Sequence, residues 1–120
     1  MPASADGPHS TLSLRQEPRA DGTVVLLLTG EVDVATAPRL AEALHALAGR
    51  RVEVDLRGVE LLGAAGLGVL AGASGQLRQA GGDLRLARPR PLVARCLTIT
   101  RLDALLAVEG PALPSQVSRS

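Results

Sequence analysis

The sequence predicts an α/β domain in which a hairpin is followed by alternating helices and strands, in the order ββαβαβα with a short final β. Three observations carry that reading. Apolar residues switch along the chain between period two and helical spacing, and Gly and Pro mark the switches. Helices that alternate with strands after the first hairpin also imply parallel strands joined by right-handed crossovers. At 120 residues the chain can fill one hydrophobic core and not two, so one domain is expected.

The elements follow in order. Thr11 to Gln16 alternates, with Leu12 and Leu14 on one face and Ser13 and Arg15 on the other, as in an edge strand with one face covered. Pro18 to Gly22 supplies turn chemistry, and Thr23 to Thr29 is apolar on both faces, the pattern of a central strand. Leu40, Ala43, Leu44 and Leu47 fall at helical spacing within Ala37 to Ala48, with Pro38 in the first turn and Gly49 as the stop. Val52, Val54 and Leu56 alternate with Glu53 and Asp55 in a short strand. A second helix covers about Ala65 to Ala80 and stops at Gly81 and Gly82.

Asp83 to Ala87 is the next strand. Pro89 and Pro91 open a third helix with Leu92, Val93, Cys96 and Leu97 on one face, and Ala104 to Val108 supplies the last short strand. The alternation in the third and fourth strands points to helices that fully cover only one face of the sheet, with an entirely doubly wound sheet as the alternative. Residues 1–10 and 109–120 are rich in Pro, Ser and Gly and read as flexible tails around a domain spanning 11–108.

Composition narrows the function. The net charge is +1, all 13 basic residues are Arg, and they are interspersed with 12 acids, so no basic stripe exists for nucleic acid. Phe, Tyr and Trp are absent, which removes the stacking platforms of single-strand binders. The longest aliphatic run, Val24 to Leu28, is far shorter than a membrane span, so no membrane insertion is expected. Without a basic n-region and an apolar h-region at the start, the expected compartment is cytoplasmic.

Catalytic chemistry finds little support. One cysteine, Cys96, and two separated histidines, His9 and His45, form neither a disulfide nor a metal cluster, and neither histidine offers a nucleophile–base pair. No cofactor or metal is therefore expected, and the chain reads as a binding protein rather than an enzyme. Cys96, between Val93 and Leu97, reads as a small buried hydrophobe.

Two strand ends stand out. In TGEVDVATAPRL, Glu31 and Asp33 sit where the central strand ends, just before Thr36 and Pro38 start a helix; Asp33 or Thr36 can cap that helix. In LLGAAGLGVL a strand gives way to a helix with no reactive side chain at all. Its glycines match neither the P-loop nor the dinucleotide pattern, so close approach of another backbone at Gly66, Gly68, Gly72 and Gly75 is the simpler account.

The three blocks LTGEVDVATAPRL, VEVDLRGVELLGAAGLGVL and RQAGGDLRLARPRPLVARCLTITRLDALLAV resemble, in order and spacing, the STAS domain of bacterial anti-sigma-factor antagonists. The resemblance spans about Leu12 to Val108. It implies a mixed sheet of four to five strands with three to four helices. It also implies a partner: an anti-sigma factor that is a serine kinase of the histidine-kinase-like ATPase type, bound by the antagonist as a monomer or weak dimer.

In the family, phosphorylation of a serine at the start of the second helix breaks the complex. The usual motif there is Asp-Ser-Ser-Gly or a close variant, followed by Leu-Gly. Gly66, Leu67 and Gly68 match it; Gly63 stands in place of Asp, Ala64 in place of the first Ser, and Ala65 at the phosphoacceptor. A phosphate there would add about −1.5 to −2 charge at the start of a helix, and Ala65 cannot accept one. Glu31, Asp33, Thr36, Ala37 and Pro38 match the family's other partner loop. The resemblance therefore implies a partner surface of Glu31, Asp33, Thr36 and Gly63 to Leu67 that docks without this switch. Ser74, on the same helix, is the candidate substitute acceptor, with an ordinary helix serine the simpler account. Arg101 stands where the family often ends its third helix with Gly. Two alternatives remain open: a non-signalling STAS accessory subunit of a transport or other assembly, and a weak nucleotide-binding module at the Gly63–Gly66 turn.

Overall fold

The computed structural model describes residues 12–105 and 107–109. The tails expected at 1–10 and 109–120, except for Glu109, lie outside the described residues, as does His9. The elements are β1 (Ser13–Pro18), β2 (Val24–Val32), α1 (Ala37–His45), β3 (Arg51–Leu62), α2 (Ala64–Gln79), β4 (Asp83–Ala87), α3 (Pro91–Ile99), α4 (Leu102–Leu105) and β5 (Ala107–Glu109). They form one five-stranded sheet in the order β1-β2-β3-β4-β5, antiparallel at β1 and parallel thereafter.

That strand order decides the layering. Every crossover steps in the same direction across the sheet, so right-handed connections place the described crossover helices on one face. There the core forms. Leu26, Leu28, Val54, Leu56 and Leu86 of the sheet meet Leu40 and Leu44 of α1, Leu70 and Leu77 of α2, and Val93 and Leu97 of α3. Burying each such side chain contributes about 1.5–3 kcal/mol.

On the other face the alternation of β3 places Glu53 and Asp55, which are only 4% and 3% exposed. Isolated buried carboxylates are costly, and here arginines lie over them. Arg19 grips Glu53 with two bonds of 3.0 and 2.9 Å. Arg57 reaches Asp55 at 3.1 Å through its side chain and 3.0 Å through its backbone N–H, and Arg88 approaches the same carboxylate at 3.5 Å. The uncovered face of a largely parallel sheet is thus closed by ion pairs instead of a second helical layer.

Several elements depart from the sequence reading. β3 does not stop near Leu56 but runs to Leu62, pairing with β2 through two register shifts, between Leu27 and Thr29 and between Gly30 and Glu31. Each shift inserts a residue in β3 and breaks the two-residue period on which strands are recognised. Glycine makes both possible. A Cβ on Gly58 would sit 2.8 Å from the Leu28 carbonyl oxygen, and Gly30 has φ +114°. β2 correspondingly extends three residues beyond Thr29.

α1 ends at His45 instead of Ala48, with turns leading to Gly49 at φ +85°. Ala104 and Leu105, expected in the last strand, belong to the short helix α4. On α3, Val93 and Leu97 are buried as expected, but Leu92 is 67% exposed and Cys96 only half-buried. The close-backbone account of α2 holds at none of its four glycines, and only Gly66 is packed at all, against side chains. Gly66 is tight, because a Cβ there would lie 2.6 Å from Val32 Cγ1 and 2.7 Å from Leu62 Cδ1. Nothing lies within 4 Å of a Cβ on Gly68, Gly72 or Gly75, so no neighbouring backbone explains them.

Candidate functional site

The two sequence segments singled out at strand ends meet in the structure. Glu31 pairs with Leu61 and Val32 with Leu62 across the parallel ladder, and the Gly63 backbone N–H donates to the Val32 carbonyl at 2.9 Å. The loop after β2 and the start of α2 therefore share one rim at the C-terminal ends of the strands, where open α/β sheets place their binding groups.

The β2–α1 loop is held by a polar clip. Asp33 Oδ1 accepts the N–H groups of Ala35 and Thr36, both at 3.0 Å. Thr36 Oγ1 donates to the Glu31 carbonyl at 2.9 Å, lies 3.2 Å from Asp33 Oδ1, and accepts the Asp33 N–H at 3.0 Å. Asp33 and Thr36 thus bind each other's backbone, an arrangement for which short polar side chains beside a helix start are suited. Thr36 is fully enclosed. Its enclosed side chain is not available to a partner, as the resemblance had implied; it fixes the shape of the loop. Nor does its hydroxyl cap the helix, since Thr36 makes no side-chain cap bond.

α2 begins differently. Gly63 is its N-cap, at φ −85° and ψ −179°, with no side-chain cap and no acid in the first turn. The first helical bond runs from the Leu67 N–H to the Gly63 carbonyl at 2.9 Å, so the helix itself offers no acceptor to the N–H groups of Ala64, Ala65 and Gly66. Ala64 is exposed, and Gly63, Ala65 and Leu67 are half-buried. Gly66 is buried against the Val32 and Leu62 side chains, which removes it from the surface, and its missing Cβ lets α2 start so close to β2.

Two residues of the rim escaped sequence reasoning. Val34 is 80% exposed and Leu61 48% exposed, on the two adjoining segments. The signal for Val34 was an aliphatic residue inside an otherwise polar loop; Leu61 was hidden by the bulges of β3. Ser74 is 3% exposed and its hydroxyl has no hydrogen-bond partner, so it is packed inside the helix layer, out of reach of another protein's active site in the folded state. His45 is exposed on α1. Among the described residues no cluster of His, Cys, Asp and Glu could hold a metal, and no helix is long and apolar enough to cross a membrane.

The sequence model of the family described as "Mlab, STAS domain" matches residues 11–107.

The chain belongs to the STAS-domain family.

This STAS domain is 30% identical over 102 residues to the anti-sigma-B factor antagonist of Listeria monocytogenes, covering 82% of this chain and 90% of the relative. It is 32% identical over 85 residues to the anti-sigma-B factor antagonist of Bacillus subtilis, covering 69% and 78%. Among solved structures, an anti-sigma factor antagonist from Mycobacterium paratuberculosis superposes with a TM-score of 0.76 at 29% identity, covering 90% of this chain and 92% of that one. The α/β sheet and the resemblance to the antagonists are thereby established for this STAS domain, and Gly63-Ala64-Ala65-Gly66 opens its α2 without a hydroxyl.

Proposed function

We propose that this protein is an anti-sigma-factor antagonist that docks on a serine-kinase anti-sigma factor of the histidine-kinase-like ATPase type and is not released by phosphorylation at the usual position. The observation that carries the proposal is the shared rim: the Val32–Gly63 hydrogen bond joins the Asp33 loop to the start of α2, and around it Val34, Leu61 and Ala64 expose apolar surface beside Glu31 and Asp33. An apolar centre with a charged edge is the usual composition of a protein-binding patch. Glu31, Asp33, Gly63, Ala64, Ala65 and Leu67 form the contact surface in this reading, while Thr36 and Gly66 hold its shape from within. The protein acts in the cytoplasm as a monomer or weak dimer, without a cofactor and without catalysis of its own.

The switch is absent for a local reason. Ala65 lies in the first turn of α2, where a phosphoserine would be stabilised by free N–H groups while repelling acids on a partner. Incubation with the cognate kinase and ATP is expected to leave the complex intact and the protein unlabelled; stoichiometric label accompanied by dissociation would overturn the reading. A gain-of-switch variant gives the converse test. Gly63 has a backbone open to any residue, and a Cβ there would lie 3.5 Å from the Val32 carbonyl oxygen, an ordinary contact. Gly63→Asp with Ala64→Ser and Ala65→Ser should therefore fold, bind the kinase and become phosphorylatable.

A second reading has its own support, because the matching family model is described by the name Mlab and not as an antagonist. In that reading the same rim seats the domain as a non-signalling accessory subunit of a transport assembly. Copurification of the tagged protein with membrane ATPase components, and not with a soluble kinase, would establish it.

A further inference from the structure

Away from this rim, the loop between β4 and α3 reads Arg88-Pro89-Arg90-Pro91-Leu92. We propose that this loop, together with Arg57, is a second interaction surface that takes an acidic, leucine-bearing segment of a protein partner.

Charge is the first support. The Arg57 and Arg88 side chains share a single oxygen of the buried Asp55, at 3.1 and 3.5 Å, so one carboxylate serves two guanidinium groups. Arg90 donates from Nε to the Arg57 carbonyl at 2.9 Å and makes no ion pair among the described residues. The three arginines are thus tied into one cluster with an excess of two positive charges. Their exposure leaves the planar faces and remaining donors open: the Arg57 and Arg88 side chains are 63% and 47% exposed. Guanidinium groups so placed suit carboxylates, which they bind through paired hydrogen bonds.

Backbone geometry is the second support. A residue before proline is steered toward extended backbone, yet Arg88 sits at φ +56°, a region glycine occupies far more cheaply. The strained position holds an arginine aimed at Asp55 instead of the glycine that local energetics favour. Beyond it, Pro89 and Pro91 stiffen the loop, and Arg90 is extended at φ −66° and ψ 159°. A stiff loop loses little entropy on docking.

The third support selects a protein segment over a bare anion. Leu92 follows the arginines and is 67% exposed, and Ile99 lies two turns further along α3 at 71%. A simple anion would leave both in water, whereas an acidic peptide carrying a leucine covers apolar and charged surface together.

The test uses a fluorescent peptide with one leucine flanked by glutamates, its all-glutamate counterpart, and inorganic phosphate, each titrated against the full chain with amide chemical shifts recorded. The working variant is Arg88→Gly with Arg90→Ala. It leaves the Arg57–Asp55 pair in place and relieves the backbone strain at 88, so its melting temperature should not fall. A control, Arg15→Ala with Arg50→Ala, removes the same charge elsewhere. Expected are binding of the leucine peptide that weakens with salt, shifts centred on the amides of Arg88, Arg90 and Leu92, at least tenfold weaker binding by Arg88→Gly/Arg90→Ala, and no change in the control. The proposal fails if the wild-type chain does not bind the peptide, if both variants lose affinity equally, or if the all-glutamate peptide or phosphate shifts the same amides as strongly.

Discussion

Replacing Thr36 by Val tests the architecture of the rim most directly, because the side chain keeps its shape and loses only its hydroxyl. That hydroxyl accepts the Asp33 N–H at 3.0 Å and donates to the Glu31 carbonyl at 2.9 Å, inside a residue with no solvent exposure. In the variant Asp33 Oδ1 loses the Thr36 hydroxyl at 3.2 Å but keeps its bonds to the N–H groups of Ala35 and Thr36, so the groups left without a side-chain partner are one amide and one carbonyl. Two hydrogen bonds at about 1 kcal/mol each, plus the desolvation of an amide left without a partner, give about 2–4 kcal/mol of destabilisation. For a domain of this size each kcal/mol lowers the melting temperature by about 4–8 °C. Urea unfolding should show a lower midpoint with an unchanged slope. Thr36→Ser, which keeps the hydroxyl, should lose no more than about 1.5 kcal/mol, the value of the missing methyl group and its packing. Partner affinity should fall in the Val variant and persist in the Ser variant. A Val variant within about 0.5 kcal/mol of wild type, the range of ordinary surface changes, would refute the clip.

The remaining predictions concern backbone and charge. Gly72→Ala should stabilise the domain by about 1 kcal/mol, since α2 gains propensity and a Cβ meets nothing. Gly66→Ala should instead destabilise it, because its Cβ would collide with the stiff Val32 side chain and overpacking costs about 1–3 kcal/mol; differential scanning fluorimetry distinguishes the pair. Arg101 ends α3 at φ +64°, so Arg101→Gly should stabilise by about 0.5–1 kcal/mol through relief of the left-handed penalty. Hydrogen bonds from Thr23, chiefly its backbone N–H, hold the Asp21 carboxyl below the usual range, with Arg51 and Arg19 adding smaller effects. A depressed folded-state value means the carboxylate's contribution is present above the ordinary aspartate pKa near 4 and is lost as pH falls through the folded value. Carboxyl chemical shifts should show Asp21 titrating below a model peptide, and the pH dependence of stability below about pH 4 should be shallower in Asp21→Asn.

Element identity was largely legible because its causes are local. Pro38 and Pro91 mark helix starts, Gly49 and Gly81 adopt the positive φ that ends helices, and Val52-Glu53-Val54-Asp55-Leu56 alternates apolar with charged residues as a strand with two unlike faces must. Gly82 shows where local reasoning stopped. It read as part of a stop signal, but a Cβ there would press into the Arg50 backbone, a neighbour that only the β3–β4 pairing brings close. β3 beyond Leu56 was missed for a similar reason, since bulges opposite Thr29 and Glu31 erase the alternation that periodicity detects.

The candidate site divides along the same line. The sequence by itself determined that two strand-to-helix junctions carry the interesting residues and that neither position 64 nor 65 has a hydroxyl, because residue identity and short-range capping chemistry need no tertiary context. Only the tertiary structure decided that the two junctions form one rim, that Thr36 and Gly66 work from inside it, and that Val34 and Leu61 face outward. Exposure and strand register depend on neighbours about thirty residues away in the chain, and those are fixed when the β2–β3 ladder closes.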